Sequence, residues 1–126
     1  MFKVIGREIQ ITRGDMLPLN VNADNDGEPY EFKAGDIVGI KVFEKGDVEN
    51  VVLDKRFTVT EPCFDFNLDL LSEDTRIGDY IKKPVQYWYE IELNPGTPYV
   101  NTIVGYDKDD GPALFWLLPE GGNAND

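Results

Sequence analysis

The chain has 126 residues, with 24 acidic against 12 basic side chains and a net charge of −12. Such a balance argues against nucleic-acid backbones and anionic membranes as partners. There is no histidine, one cysteine (Cys63) and one serine (Ser72), which excludes Ser-His and Cys-His nucleophiles, zinc sites of His and Cys, and an internal disulfide.

Hydrophobic residues at 41% and aromatics at 12% are too many for a disordered chain, and the length suffices for one core. The stretch Met1–Glu8 lacks the apolar run of a signal peptide or membrane span. The expectation is a soluble protein that folds in a reducing cytoplasm.

In chain order, the dominant period is two. Glu8–Ile11 alternates, and Leu17, Leu19 and Val21 continue the pattern around Pro18 and Asn20. Arg13-Gly14-Asp15 stands between them as a strand-to-strand turn, with Gly14 supplying positive φ and Asp15 bonding local amides. The same tripeptide is the integrin motif, but that function needs an extracellular loop, and nothing here indicates secretion. Asp24-Asn25-Asp26-Gly27-Glu28-Pro29 is a dense turn signal.

Ile37–Phe43 and Asn50–Thr60 read as strands. Phe64, Phe66, Leu68 and Leu70 then form a half-buried strand, with Asp65, Asn67 and Asp69 on its wet side and Cys63 as a small core residue. Those four apolar residues are expected to pack against Ile37–Val42 and Val85–Leu93. Ser72-Glu73-Asp74-Thr75 resembles a capped helix start, so one short helix is predicted near 72–80. Val85–Leu93, Tyr99–Tyr106 and Ala113–Leu118 are further strands, with a turn over Asp107–Gly111 centred on Asp110 and Gly111. The prediction is an all-β, immunoglobulin-like antiparallel β-sandwich of seven to nine strands over 1–119, followed by a flexible polar tail at 120–126. A small β-barrel is the competing architecture.

Candidate chemistry is thin. Asn22, Asp24, Asp26 and Gly27 fall on positions of a calcium loop, yet Lys33 stands where a bidentate Glu belongs. The Asp107–Gly111 turn does not fit that frame at all, so no metal ligands are assigned. Asp65, Asp69, Glu90 and Glu92 read as solvated sheet faces rather than a glycosidase pair. No catalytic or cofactor-binding residues are assigned either. Tyr87, Trp88, Tyr89, Phe115 and Trp116 divide between two sheet faces, which leaves Trp88 and Trp116 as candidate interface residues.

The series Ile9-Gln10-Ile11-Thr12-Arg13-Gly14-Asp15, Leu17–Val21, Asp26-Gly27-Glu28-Pro29 and Ile37–Phe43 resembles the N-terminal domain of phage baseplate upper proteins. The later segments Tyr89–Pro95, Thr102–Asp107 and Gly111–Phe115 are similar to small prophage proteins of Gram-positive bacteria. The resemblance implies a non-enzymatic tail or baseplate component with no cofactor. Its partners would be other phage structural proteins or further copies of itself, with neither nucleic acid nor membrane involved. It would reside in the host cytoplasm before assembly and in the virion afterwards. Two further functions compete: an acidic inhibitor that mimics DNA charge, and a carbohydrate-binding module built on Trp88 and Trp116.

Overall fold

The alternation of the sequence becomes alternation of burial. In the computed structural model, which describes residues 2–120, eleven strands form: β1 (Phe2–Ile5), β2 (Glu8–Thr12), β3 (Leu17–Val21), β4 (Ala23–Asn25), β5 (Glu28–Tyr30), β6 (Ile37–Glu44), β7 (Asp47–Thr58), β8 (Phe66–Leu70), β9 (Val85–Leu93), β10 (Asn101–Val104) and β11 (Ala113–Leu118). Six of them run β1-β2-β11-β9-β6-β7 in an open sheet, and β10 pairs with β9 beside that path. Antiparallel β3 and β8 form a small second sheet, and β4–β5 is a separate hairpin. The fold is all-β and sandwich-like, as expected.

Tyr87, Tyr89, Ile91 and Leu93 of β9 are buried, as are Ala113, Phe115 and Leu117 of β11 and Val38, Ile40 and Val42 of β6. They meet Leu17, Leu19 and Val21 of β3 and Leu68 and Leu70 of β8 in one core cluster. Side chains two apart share a face, so each strand delivers one stripe to the interior. Among the aromatics, Tyr89 and Phe115 pack edge to face at 6.3 Å between ring centroids. Burial pushes the Tyr89 phenol up to about 12, and its hydroxyl donates to the Arg7 carbonyl at 2.7 Å.

Five features differ from the sequence reading, the first being eleven strands where seven to nine are predicted, because β1 and the short β4 and β5 add to the count. The sheet is mixed, because β2 and β11 run parallel, Phe115 opposite Ile9 and Leu117 opposite Ile11. Phe64 is 51% exposed: β8 begins at Phe66, and the chain at Cys63 is engaged instead in a bridge with Phe32.

No helix forms near 72–80. Ser72–Thr75 is a turn, in which the Asp74 N–H donates to the Leu71 carbonyl at 2.9 Å while the Asp74 carboxylate accepts from the Leu71 N–H at 2.8 Å. That reciprocal pair closes the segment on itself, and Thr75 is drawn into the core at 0% exposure. Its hydroxyl serves the neighbouring turn rather than a helix end.

Finally, the predicted tail is anchored at its first residue, since Glu120 accepts from Arg13 at 2.7 Å. The remainder of that prediction, 121–126, lies outside the described residues.

The two marked turns adopt the geometry that their composition requires. Asp26 (φ 53°) and Gly27 (φ 86°) are the two positive-φ residues between β4 and β5, which is the type I′ solution for a two-residue hairpin. The Asp107 carboxylate accepts the Asp109 and Asp110 N–H groups at 2.8 and 3.0 Å. Those bonds, Asp110's first, hold its pKa below the usual aspartate value.

A third junction ties the hairpin to the main sheet. The Asp36 carboxylate accepts from the Tyr30 hydroxyl and the Lys33 N–H, each at 2.9 Å, and from the Asn94 amide at 3.3 Å. Burial pushes the Asp36 pKa up, but these hydrogen bonds and the Lys33 charge outweigh it, and the net shift is downward. A depressed folded pKa contributes stability that is complete above the ordinary value of 3.8 and is lost as pH falls through the folded value. Wild type is therefore expected to keep its thermal advantage over Asp36→Asn at neutral pH and to lose it progressively as the pH is lowered through and below 3.8. Melting curves across that window check this, and an advantage independent of pH contradicts it.

Candidate interaction surface

Two surfaces stand out beyond the core. The first is the face of the large sheet turned away from β3 and β8. On β9, Gln86, Trp88, Glu90 and Glu92 alternate with the buried stripe and are half-buried, and Leu114, Trp116 and Leu118 do the same on β11. Cross-strand register sets Trp88 between Leu114 of β11 and Phe43 of β6, and Phe43 opposite Val51 of β7. Trp116 lies between Gln86 of β9 and Gln10 of β2.

Because residues i and i+2 share a face, Trp88, Leu114 and Trp116 form one apolar field on adjacent rungs, with Phe43, only 4% exposed, buried beside Trp88. It is bounded by Glu90, Glu92 and Lys41, with Lys41 directly opposite Glu90. Burial first, then the neighbouring Glu92 charge, pushes the Glu90 pKa up, against a smaller opposing pull from Lys41. Close by, Val48, Trp88 and Tyr106 line a cavity of about 80 Å³; Val48 is 60% and Tyr106 74% exposed. Aromatic residues under a polar rim have the composition of a protein interface.

The second surface is a polar cleft of about 330 Å³ between the β4–β5 hairpin and the β9–β10 edge. Asn22, Asp24, Asn25, Tyr30, Asn101 and Thr102 line it, over Leu93 and Ile103. Amides and a carboxylate above a small apolar floor suit a polyhydroxylated ligand. None of this was visible as a motif, since the two walls are more than seventy residues apart in sequence.

The fold keeps the strand carboxylates apart. Glu90 and Glu92 stand on the outer face of the large sheet, whereas Asp69 is on the exposed side of β8, opposite Pro18 of β3. The core lies between them, so they do not converge as acid and base. Among the described residues, no three His, Cys, Asp or Glu side chains group closely enough to hold a metal ion.

The Arg13-Gly14-Asp15 turn is built into the scaffold. The Arg13 side chain, 13% exposed, donates to the Ile77 carbonyl at 3.1 Å, the Gly78 carbonyl at 2.6 Å and the Glu120 carboxylate at 2.7 Å. Gly14 has φ 89°, and a Cβ there would meet the Arg76 guanidinium at 3.1 Å. The Asp15 N–H donates to the Thr12 carbonyl at 3.0 Å, closing a β-turn. This arginine is occupied by the chain's own carbonyls.

Compared with protein-family models, with curated proteins and with solved structures, the chain shows no match.

Proposed function

We propose that this chain is a non-enzymatic structural protein of a phage or prophage virion, a tail or baseplate component that works through protein–protein contacts. The observation that carries the reading is the apolar field of Trp88, Leu114 and Trp116, backed by the buried Phe43, across the outer face of the large sheet. A sheet normally turns polar side chains to water on its solvated face. Here that face supplies the rigid, amphipathic rings that dominate binding energy in interfaces. The resemblance of residues 9–43 to a baseplate domain supplies the virion context, and the net charge of −12 keeps such a surface soluble before assembly.

The test is mass spectrometry of gradient-purified phage particles from a host expressing a tagged chain. The tag is expected to band with the particles, and a Trp88→Ala/Trp116→Ala double variant to lose at least tenfold in incorporation. Free chain with none in the particles overturns the reading.

The polar cleft favours a second reading, carbohydrate binding, at a place different from the tryptophans. Exclusion from particles, together with glycan-array binding abolished by Asn101→Ala, would establish that function instead.

A further inference from the structure

We propose that the chain forms a two-fold dimer by pairing β7 with β7 of a second copy, antiparallel and centred on Lys55. This goes beyond the virion reading and does not depend on it, because the contact uses the sheet edge rather than the aromatic face.

β7 closes one end of the large sheet. Residues Leu53–Thr58 pair in regular register with Val42–Ile37 of β6, and among the described residues they make no other backbone hydrogen bond. Such an edge is a template for another strand unless it is blunted. The blunting covers only half of β7. Glu44 is opposite Asp47 and Phe43 opposite Val51, so Val48–Asn50 bulge out, and a further shift follows at Val52. From Leu53 onward the edge is regular. This segment is also where the repulsion of an acidic protein is relieved, since Asp54 stands against Lys55 and Arg56 in a chain of charge −12.

Register follows from face and charge. Leu53, Lys55 and Phe57 lie opposite the buried Val42, Ile40 and Val38, whereas Asp54 and Arg56 lie opposite Lys41 and Gly39 on the outer face. A two-fold axis normal to the sheet keeps each residue on its own face, so only registers with a residue on the axis are allowed. Centring on Asp54 sets two aspartates against each other, centring on Arg56 sets two arginines, and centring on Leu53 or Phe57 leaves Asp54 and Arg56 facing uncharged residues.

Centring on Lys55 places Asp54 opposite the second copy's arginine on both sides of the axis, and Leu53 opposite its phenylalanine on the inner face. Opposite charges and apolar pairs directly across strands stabilise, and like charges destabilise. The two central lysines are already neutralised, because each Lys55 ammonium pairs with its own Asp74 and lies over its own Phe57 ring. The Asp54 and Arg56 side chains are 43% and 48% exposed, and their mutual contact within one chain is long, 3.8 Å. They are free to exchange partners. An isologous contact of this kind closes after two copies.

Sedimentation equilibrium on the full chain tests this. Wild type is expected to show a concentration-dependent monomer–dimer equilibrium. Asp54→Arg and Arg56→Asp, which create facing like charges, are each expected to weaken it at least tenfold. The charge-swapped double variant, which restores opposite charges in the same register, is expected to recover it. Both positions are exposed, so circular dichroism should show all three variants folded.

A wild-type chain that stays monomeric up to millimolar concentration overturns the proposal. So does a dimer indifferent to the single variants, which would lie on another surface such as the aromatic field. A double variant that fails to recover rejects the Lys55-centred register.

Discussion

Phe115→Ala is expected to lower the unfolding free energy by about 3–5 kcal/mol, the usual cost of removing a fully buried phenylalanine. Phe115 is 0% exposed, sits in β11 between β2 and β9, and packs edge to face on Tyr89. The core there joins both sheets, so neighbouring strands cannot collapse into the space without breaking register. Phe64→Ala, at a position 51% exposed, is expected to change stability by less than about 0.5 kcal/mol. Phe66→Ala should fall between the two, because Phe66 is half-buried against Phe32 at 6.3 Å between centroids. Urea unfolding of the three variants measures the ranking. A cost at Phe64 equal to that at Phe115 would contradict the assignment of faces.

Thr75→Val is expected to cost about 1–3 kcal/mol although it preserves side-chain shape, because it removes the hydroxyl's bonds to part-buried backbone groups of two turns. The Thr75 hydroxyl donates to the Asp15 carbonyl at 2.7 Å, has the Ser72 carbonyl at 3.2 Å, and accepts the Gly14 N–H at 3.0 Å. One oxygen atom thus joins the 72–75 turn to the Arg13-Gly14-Asp15 turn. Thr75→Ser keeps the hydroxyl and is expected to restore most of the loss. If valine is as stable as threonine in urea unfolding, the hydroxyl does not hold this junction. A cell-adhesion role for the tripeptide makes the opposite demand, since it needs an arginine side chain free to leave the Ile77, Gly78 and Glu120 oxygens.

Several elements could be located from local pattern because their determinants are local. The bounds of β9 and β11 follow from apolar and aromatic runs closed off by turn residues, Val85–Leu93 and Ala113–Leu118. The β4–β5 turn follows from Asp26-Gly27, the pair best able to take positive φ at both central positions. β1 is not legible locally, since the four residues Phe2–Ile5 are too few to set a period and are defined by their pairing with β2. The predicted helix failed for a related reason. Serine followed by two acids is compatible with a helix start, but the Asp74 carboxylate turns back to the Leu71 N–H and the Lys55 ammonium, and Thr75 is needed elsewhere.

By itself the sequence determined that this is a strand-built, acidic chain without the nucleophile sets of common enzymes, and that Trp88 takes the sheet face opposite Tyr87 and Tyr89. Period and composition are properties of neighbouring residues, and they suffice for that much. Tertiary structure alone decided which strands meet: the parallel contact of β2 with β11, the convergence of Phe43, Trp88, Leu114 and Trp116, the cleft joining Asn25 to Asn101, and the free edge of β7. Register between distant strands depends on how all the apolar stripes pack at once, and no local stretch of residues encodes it.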